Sequence, residues 1–153
     1  NQVGITGIFL GSFMNWDIFK QLEIVKKFGF TVSDKPKEGT YQNWENLDEK
    51  YTGMHDYFKW IKYGYGRATD HASMDIRRNK ITREEGIKLV KEYEGKIPLW
   101  YFDEFLEDFE LTREQFYDLV DKFANHDLFK KDKNGKLLRD EDGNLTKIKY
   151  DNN

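Results

Sequence analysis

Residues 81–94, ITREEGIKLVKEYE, and residues 111–124, LTREQFYDLVDKFA, decide the fold class of this chain. Thr82 stands three residues ahead of Glu85, and Thr112 three ahead of Gln115. That spacing is a capping box: the hydroxyl accepts from the third helical amide, and the Glu or Gln oxygen accepts from the threonine amide. Behind Thr112, Phe116, Leu119, Val120 and Phe123 recur at i, i+3, i+4 and i+7, the stripe of a helix with one buried face. The two segments are alike, but stable repeat arrays need three or more units, so they read as two helices sharing a start signal.

Working outward, Pro98 precedes Leu99, Phe102, Leu106 and Phe109, another helix start with an apolar face. Residues 55–63 are dense in rings (Tyr57, Phe58, Trp60, Tyr63) and read as a helix that Gly64 and Gly66 interrupt; a further helix is expected over 69–78. Asn15-Trp16-Asp17 opens a helix carrying Ile18, Leu22 and Val25, with Gly29 as its stop. Residues 5–13, apolar and β-branched or aromatic at many positions, predict a short strand. Residues 31–46 hold Pro36 and Gly39 among polar residues and read as a loop with one short turn. The tail is charged, and Asn134-Gly135 and Asp142-Gly143 are hairpin turn signals. The expected fold is mainly α, with a short N-terminal strand and a small C-terminal β-hairpin. The domain division expected is 1–130, a helical domain, and 131–153, a charged tail or hairpin.

Composition narrows the function classes. A length of 153 residues suits one domain with a genuine core. Aromatics make up 16% of the chain and offset its modest aliphatic content. The net charge of −3, with both signs mixed along the chain, argues against a nucleic-acid or membrane surface as the main partner. No apolar run approaches the ~20 residues of a membrane span. Cysteine is absent, which removes disulfides and thiolate zinc sites and fits the cytoplasm. The first residue is Asn rather than Met, so the expectation is a piece of a longer protein.

The segment with chemistry in it is 62–78, KYGYGRATDHASMDIRR. On a helix Ala68, Ala72 and Ile76 share a small apolar face, while Asp70, Ser73 and Arg77 lie nearly opposite, with His71, Asp75 and Arg78 beside them. A solvated polar face explains this pattern as well as a binding site does. The lead-in Tyr63-Gly64-Tyr65-Gly66, flanked by Lys62 and Arg67 ahead of a helix start, adds exposed amides and two cations, the makings of an anion site. His55, His71 and His126 have no metal-ligand spacing. Asp132-x-Asn134-Gly135 mimics half a calcium loop, but Lys130 stands where the first ligand would be, so no metal site is expected.

At KYGYGRATDHASMDIRRNKITREEGIKLVKEYEG (62–95) the chain resembles the N-acetyl sugar amidotransferases, PP-loop ATPases of surface-polysaccharide and nonulosonic-acid biosynthesis. GIFLGSFMNWD (7–17), the segment around Phe102-Asp103-Glu104-Phe105-Leu106 and the box beginning Thr112 are also similar, so the likeness covers most of 5–130 and little of the tail. It implies an enzyme that activates an N-acetyl carbonyl with ATP and Mg, then admits ammonia from a glutaminase partner to leave an acetamidino group on a nucleotide-sugar. The family's Ser-Gly-Gly-x-Asp-Ser motif and cysteine pairs are not in this sequence. The resemblance therefore implies the C-terminal part of such an enzyme, closing over an upstream PP-loop domain and inactive by itself. By the same implication Lys62, Arg67 and Arg77 contact phosphate groups, and Asp70, His71 and Ser73 orient the substrate. The alternative is a non-catalytic domain that docks the glutaminase or a second subunit. Exposed rings at Trp44, Trp60 and Trp100 would favour docking, and a polar pocket at 62–78 would favour the active site.

Overall fold

The computed structural model describes residues 3–148, and it divides into two compact units, one ending at Val32 and the other beginning at Ser33. In the first, the expected strand over 5–13 does not form: the segment is extended coil ending in a 3-10 turn, Leu10–Ser12. A strand needs a ladder partner, and Gly4, Gly7 and Gly11 weaken this one further. Helix α1, Ile18–Lys26, follows. The Asp17 carboxylate accepts from the Phe19 amide at 2.9 Å. The helix closes with the Phe30 amide donating to the Val25 carbonyl at 3.2 Å across Gly29, whose φ is +91°, the αL termination that glycine favours.

The second unit contains α2 (Thr52–Tyr63), α3 (Arg67–Arg77), α4 (Arg83–Tyr93), α5 (Phe102–Asp108) and α6 (Arg113–Phe123). The molecule is mainly helical, as the capping boxes require. Both boxes close: the Thr82 and Thr112 hydroxyls accept from the Glu85 and Gln115 amides at 3.2 and 3.1 Å, with the reciprocal bonds at 2.7 and 2.8 Å. Helix α2 starts earlier than its rings imply, because the Tyr101 hydroxyl accepts from the Met54 amide at 2.8 Å. Pro98 leads into a 3-10 turn, Leu99–Tyr101, before α5 begins.

Met54, Tyr57, Trp60 and Ile61 of α2 pack with Phe102, Phe105 and Leu106 of α5 and Phe116 and Val120 of α6. Edge-to-face ring pairs fill this core, Phe102 with Phe116 at 4.8 Å and Trp60 with Phe129 at 4.9 Å between centroids. Gly64 ends α2 at φ +78°, and a Cβ there would stand 2.7 Å from Leu128. Helices α3 and α4 form an antiparallel pair. Thr69 meets Glu94 at one end, and at the other Gly86 lies so close to Ile76 that a Cβ would stand 2.9 Å from its Cδ1.

The tail turns at both Asn-Gly and Asp-Gly, but it builds isolated antiparallel bridges rather than a hairpin ladder: Phe129 with Lys147, Lys131 with Leu137, Arg139 with Leu145. Phe129, Leu137 and Leu145 are buried in the same core as the helices. These residues belong to the same compact unit as the helices.

Candidate functional site

Three stretches converge on the inner face of α3. Helix α3 supplies Arg67, His71 and Asp75, α2 supplies Asp56, and the loop over 38–46 supplies Thr40, Tyr41 and Glu45. The Arg67 guanidinium forks onto Asp56, with Nε to Oδ2 at 2.6 Å and Nη2 to Oδ1 at 3.0 Å, and its Nη1 lies 3.6 Å from Glu45 Oε2. Asp56 is 4% exposed, so this pair is what allows the carboxylate to be there at all. The Asp56 hydrogen bond holds the Arg67 pKa above its ordinary value despite burial.

His71 Nδ1 is 3.1 Å from Thr40 Oγ1, and Nε2 is 3.7 Å from Glu45 Oε1. A carboxylate only accepts, so the Nε2–H tautomer faces Glu45 and Nδ1 accepts from the Thr40 hydroxyl. That hydroxyl in turn accepts from the Gln42 amide at 3.0 Å. Burial pushes the His71 pKa below its ordinary value of 6.5, with Glu45 pulling the other way, so the ring is neutral at neutral pH. The Tyr41 hydroxyl donates to Asp75 Oδ2 at 2.6 Å, and burial together with that bond raises the phenol's pKa. The outcome is a cluster of buried and half-buried polar groups in which each has a partner: Thr40, His71, Glu45, Arg67 and Asp56 in succession, with the Tyr41–Asp75 pair beside them.

Thr40, Glu45 and Asp56 also line a recess that opens between the loop and α2. Its volume of about 10 Å3 holds roughly one water molecule, so the network borders a surface and not a chamber.

The six residues singled out in the sequence do not gather at one point. Arg67 and His71 join the network. Asp70 pairs with Lys59 on the flank of α3, and the Lys59 ammonium lies 4.9 Å from the centroid of Tyr65. Ser73 faces the groove between α3 and α4. Lys62 lies over Phe123 at 5.1 Å, toward α6. Arg77 is exposed and makes no ion pair among the described residues. The helix start after Gly66 already has an anion of its own, because Glu94 Oε2 accepts from the Thr69 amide at 2.9 Å. Among the described residues no group of three or more His, Cys, Asp or Glu side chains is placed to hold a metal ion. Nor, among the described residues, is any helix long and apolar enough to cross a membrane.

Asp56, Asp75 and the loop residues Thr40, Tyr41 and Glu45 were not among those six. The signal for Asp56 was available: a carboxylate between Met54 and Tyr57, on a helix whose neighbours are rings, needs a cation. The loop residues carry no comparable pattern, because their partners lie more than ten positions away.

Residues 38–141 match the protein family described as LPS biosynthesis protein WbpG-like, C-terminal domain. The chain belongs to this family. The match takes in the 38–46 loop and α2 to α6, so the polar network lies wholly inside the WbpG-like domain. It agrees with the resemblance carried by residues 62–95, which implies the C-terminal part of an amidotransferase of this kind. The chain finds no match among curated proteins.

Proposed function

We propose that this WbpG-like domain is the C-terminal part of an ATP-dependent amidotransferase acting on the N-acetyl group of a nucleotide-sugar in the cytoplasm. In the parent reaction the acetamido oxygen attacks the α-phosphorus of ATP and pyrophosphate leaves; ammonia then adds to the activated carbon and AMP leaves, giving the acetamidino group. Nucleotide and Mg binding fall to an upstream PP-loop domain; the Arg67 fork is taken by Asp56 and the Thr69 amide by Glu94, which supports that division. Ammonia comes from a glutaminase partner.

The observation that carries the reading is the buried network, which reaches the surface through Glu45 beside the narrow recess that Thr40, Glu45 and Asp56 line. A fully paired polar cluster is rigid and holds its outward-facing atoms in fixed positions. Such a surface completes a site when another domain closes over it. Arg67 and His71 position this face, and Arg77, exposed and without an ion pair among the described residues, is a cation available to a phosphate.

The test is turnover and melting temperature of the full-length parent carrying Arg77→Gln, Asp70→Asn or Arg67→Lys. Arg77→Gln is expected to lower turnover with an unchanged melting temperature, since the side chain is exposed. Asp70→Asn is expected to lower turnover as well. Arg67→Lys is expected to lower both, because lysine cannot reproduce the fork on Asp56. Normal turnover in all three would sink the active-site reading.

One observation favours docking instead. Phe9, Phe13 and Phe28 of the first unit are 88%, 75% and 86% exposed. Large rings this open to water are candidates for an interface. Replacing all three with Ser should then abolish association with the glutaminase or a second subunit while sparing ammonia-driven turnover.

A further inference from the structure

The largest cavity among the described pockets, about 590 Å3, is the groove between α3 and α4, away from the polar network. Its size is that of a small-molecule site. Ala72 and Ile76 of α3 and Ile87 and Val90 of α4 make an apolar floor. The close approach of Gly86 to Ile76 fixes its depth at one end. At the other end the Lys147 ammonium donates to the Gly64 carbonyl. The charges lining the groove are Arg83, Lys91, Lys147 and one carboxylate, Glu94, which is committed to the Thr69 amide.

Arg83 is exposed, and neither it nor Lys91 forms an ion pair among the described residues. Residue 83 is eleven positions from Glu94 along the chain, roughly 16 Å at helical rise, so that carboxylate does not neutralise it. An unopposed guanidinium beside an apolar floor selects for one chemistry. A neutral apolar molecule gains only the floor, and a small inorganic anion gains only the cation. A molecule with an apolar body and one anionic group gains both.

We propose that this groove is a second binding site of the domain and takes a small organic anion. The apolar body lies on Ala72, Ile76, Ile87 and Val90, and a carboxylate, sulfonate or phosphate group pairs with Arg83. Ser73 and Thr69 line the same groove and offer the polar contacts that orient the ligand.

The probe is 1-anilinonaphthalene-8-sulfonate, titrated into the full chain beside its uncharged counterpart N-phenyl-1-naphthylamine. One saturable site for the sulfonate is expected, with amide shifts concentrated between residues 69 and 91. Arg83→Glu and Ile87→Glu should each weaken it by about tenfold or more, the scale of losing a charge-assisted hydrogen bond or a buried apolar contact. Arg83→Lys should keep part of the affinity. Both positions are exposed, so melting temperatures should stay near the parent value. The proposal is overturned if the uncharged dye binds as tightly, or if Arg83→Glu binds like the parent. It fails equally if no site saturates, or if the shifts fall on residues 3–30, where other apolar side chains are exposed.

Discussion

Arg67 and Asp56 illustrate how one pair decides what two substitutions do. Asp56 is the buried member, and Arg67 is the more exposed one. Removing Arg67 strands a carboxylate inside the protein, whereas removing both partners strands nothing. Arg67→Ala is therefore expected to cost about 3–5 kcal/mol, and Arg67→Met with Asp56→Leu distinctly less. Urea unfolding of the two variants measures the difference; equal losses would mean that the pair is not desolvated. His71 makes a prediction in pH. Its folded pKa lies below the ordinary 6.5 because burial disfavours the imidazolium. As pH falls through 6.5 the unfolded chain takes up a proton that the folded chain refuses, so stability drops on the acid side of neutrality. Above 6.5 the ring is neutral in both states and contributes no slope. Melting temperature measured between pH 7.5 and 5.5 should fall for the parent and fall less for His71→Gln. Parallel curves would place the titration elsewhere.

Helix positions were legible where local chemistry sets them. Thr82 and Thr112 announce their helices because a capping box is complete within four residues. Thr112→Ala is expected to cost about 0.5–2 kcal/mol, read as a lower denaturation midpoint with an unchanged m-value. The start of α2 carries no local signal, because the Met54 amide in its first turn is met by Tyr101, from beyond the helix pair that follows. The α3 start was placed two residues late for a similar reason: no side-chain cap precedes it, and its capping oxygen comes from Glu94. The candidate site divides along the same line. His71 and Arg67 stood out on a polar helix face, while Thr40 and Glu45 are recruited by tertiary contact alone. The strand expected over 5–13 had the right composition and lacked a partner, which composition does not report.

At the scale of the molecule, the charged tail holds a pattern that local reading does not resolve. The sequence shows Leu137 and Leu145 scattered among charges, yet with Phe129 they recur at one interval (129, 137, 145), and all three are buried. Two of the bridges repeat at the same step, 131 with 137 and 139 with 145, and the third, 129 with 147, joins the ends. That period belongs neither to a helix nor to a simple strand, so a search for those two periods passes over it. Three backbone hydrogen bonds close a ring: the Lys130 amide donates to Thr146, Thr146 to Leu138 and Leu138 to Lys130, each at 2.9 Å. Asn144 ties the ring to the helical body, its Oδ1 accepting from the buried Ile97 amide at 2.7 Å. A lone hairpin would be marginal in water, but these bridged turns share the core of the helices, so they should open only when the helices do. Amide exchange at Lys130, Leu138 and Thr146 is accordingly expected to be as slow as at Ile61 or Val120. Leu145→Ala should lower the stability of the whole second unit by about 2–5 kcal/mol, because the cavity it leaves is in the common core. Hydrogen exchange on that variant distinguishes the alternatives. If protection falls together at Leu138 and Ile61, tail and helices are one cooperative unit. If Leu138 exchanges rapidly while Ile61 stays protected, the tail unfolds by itself, and its buried leucines do not bind it to the core.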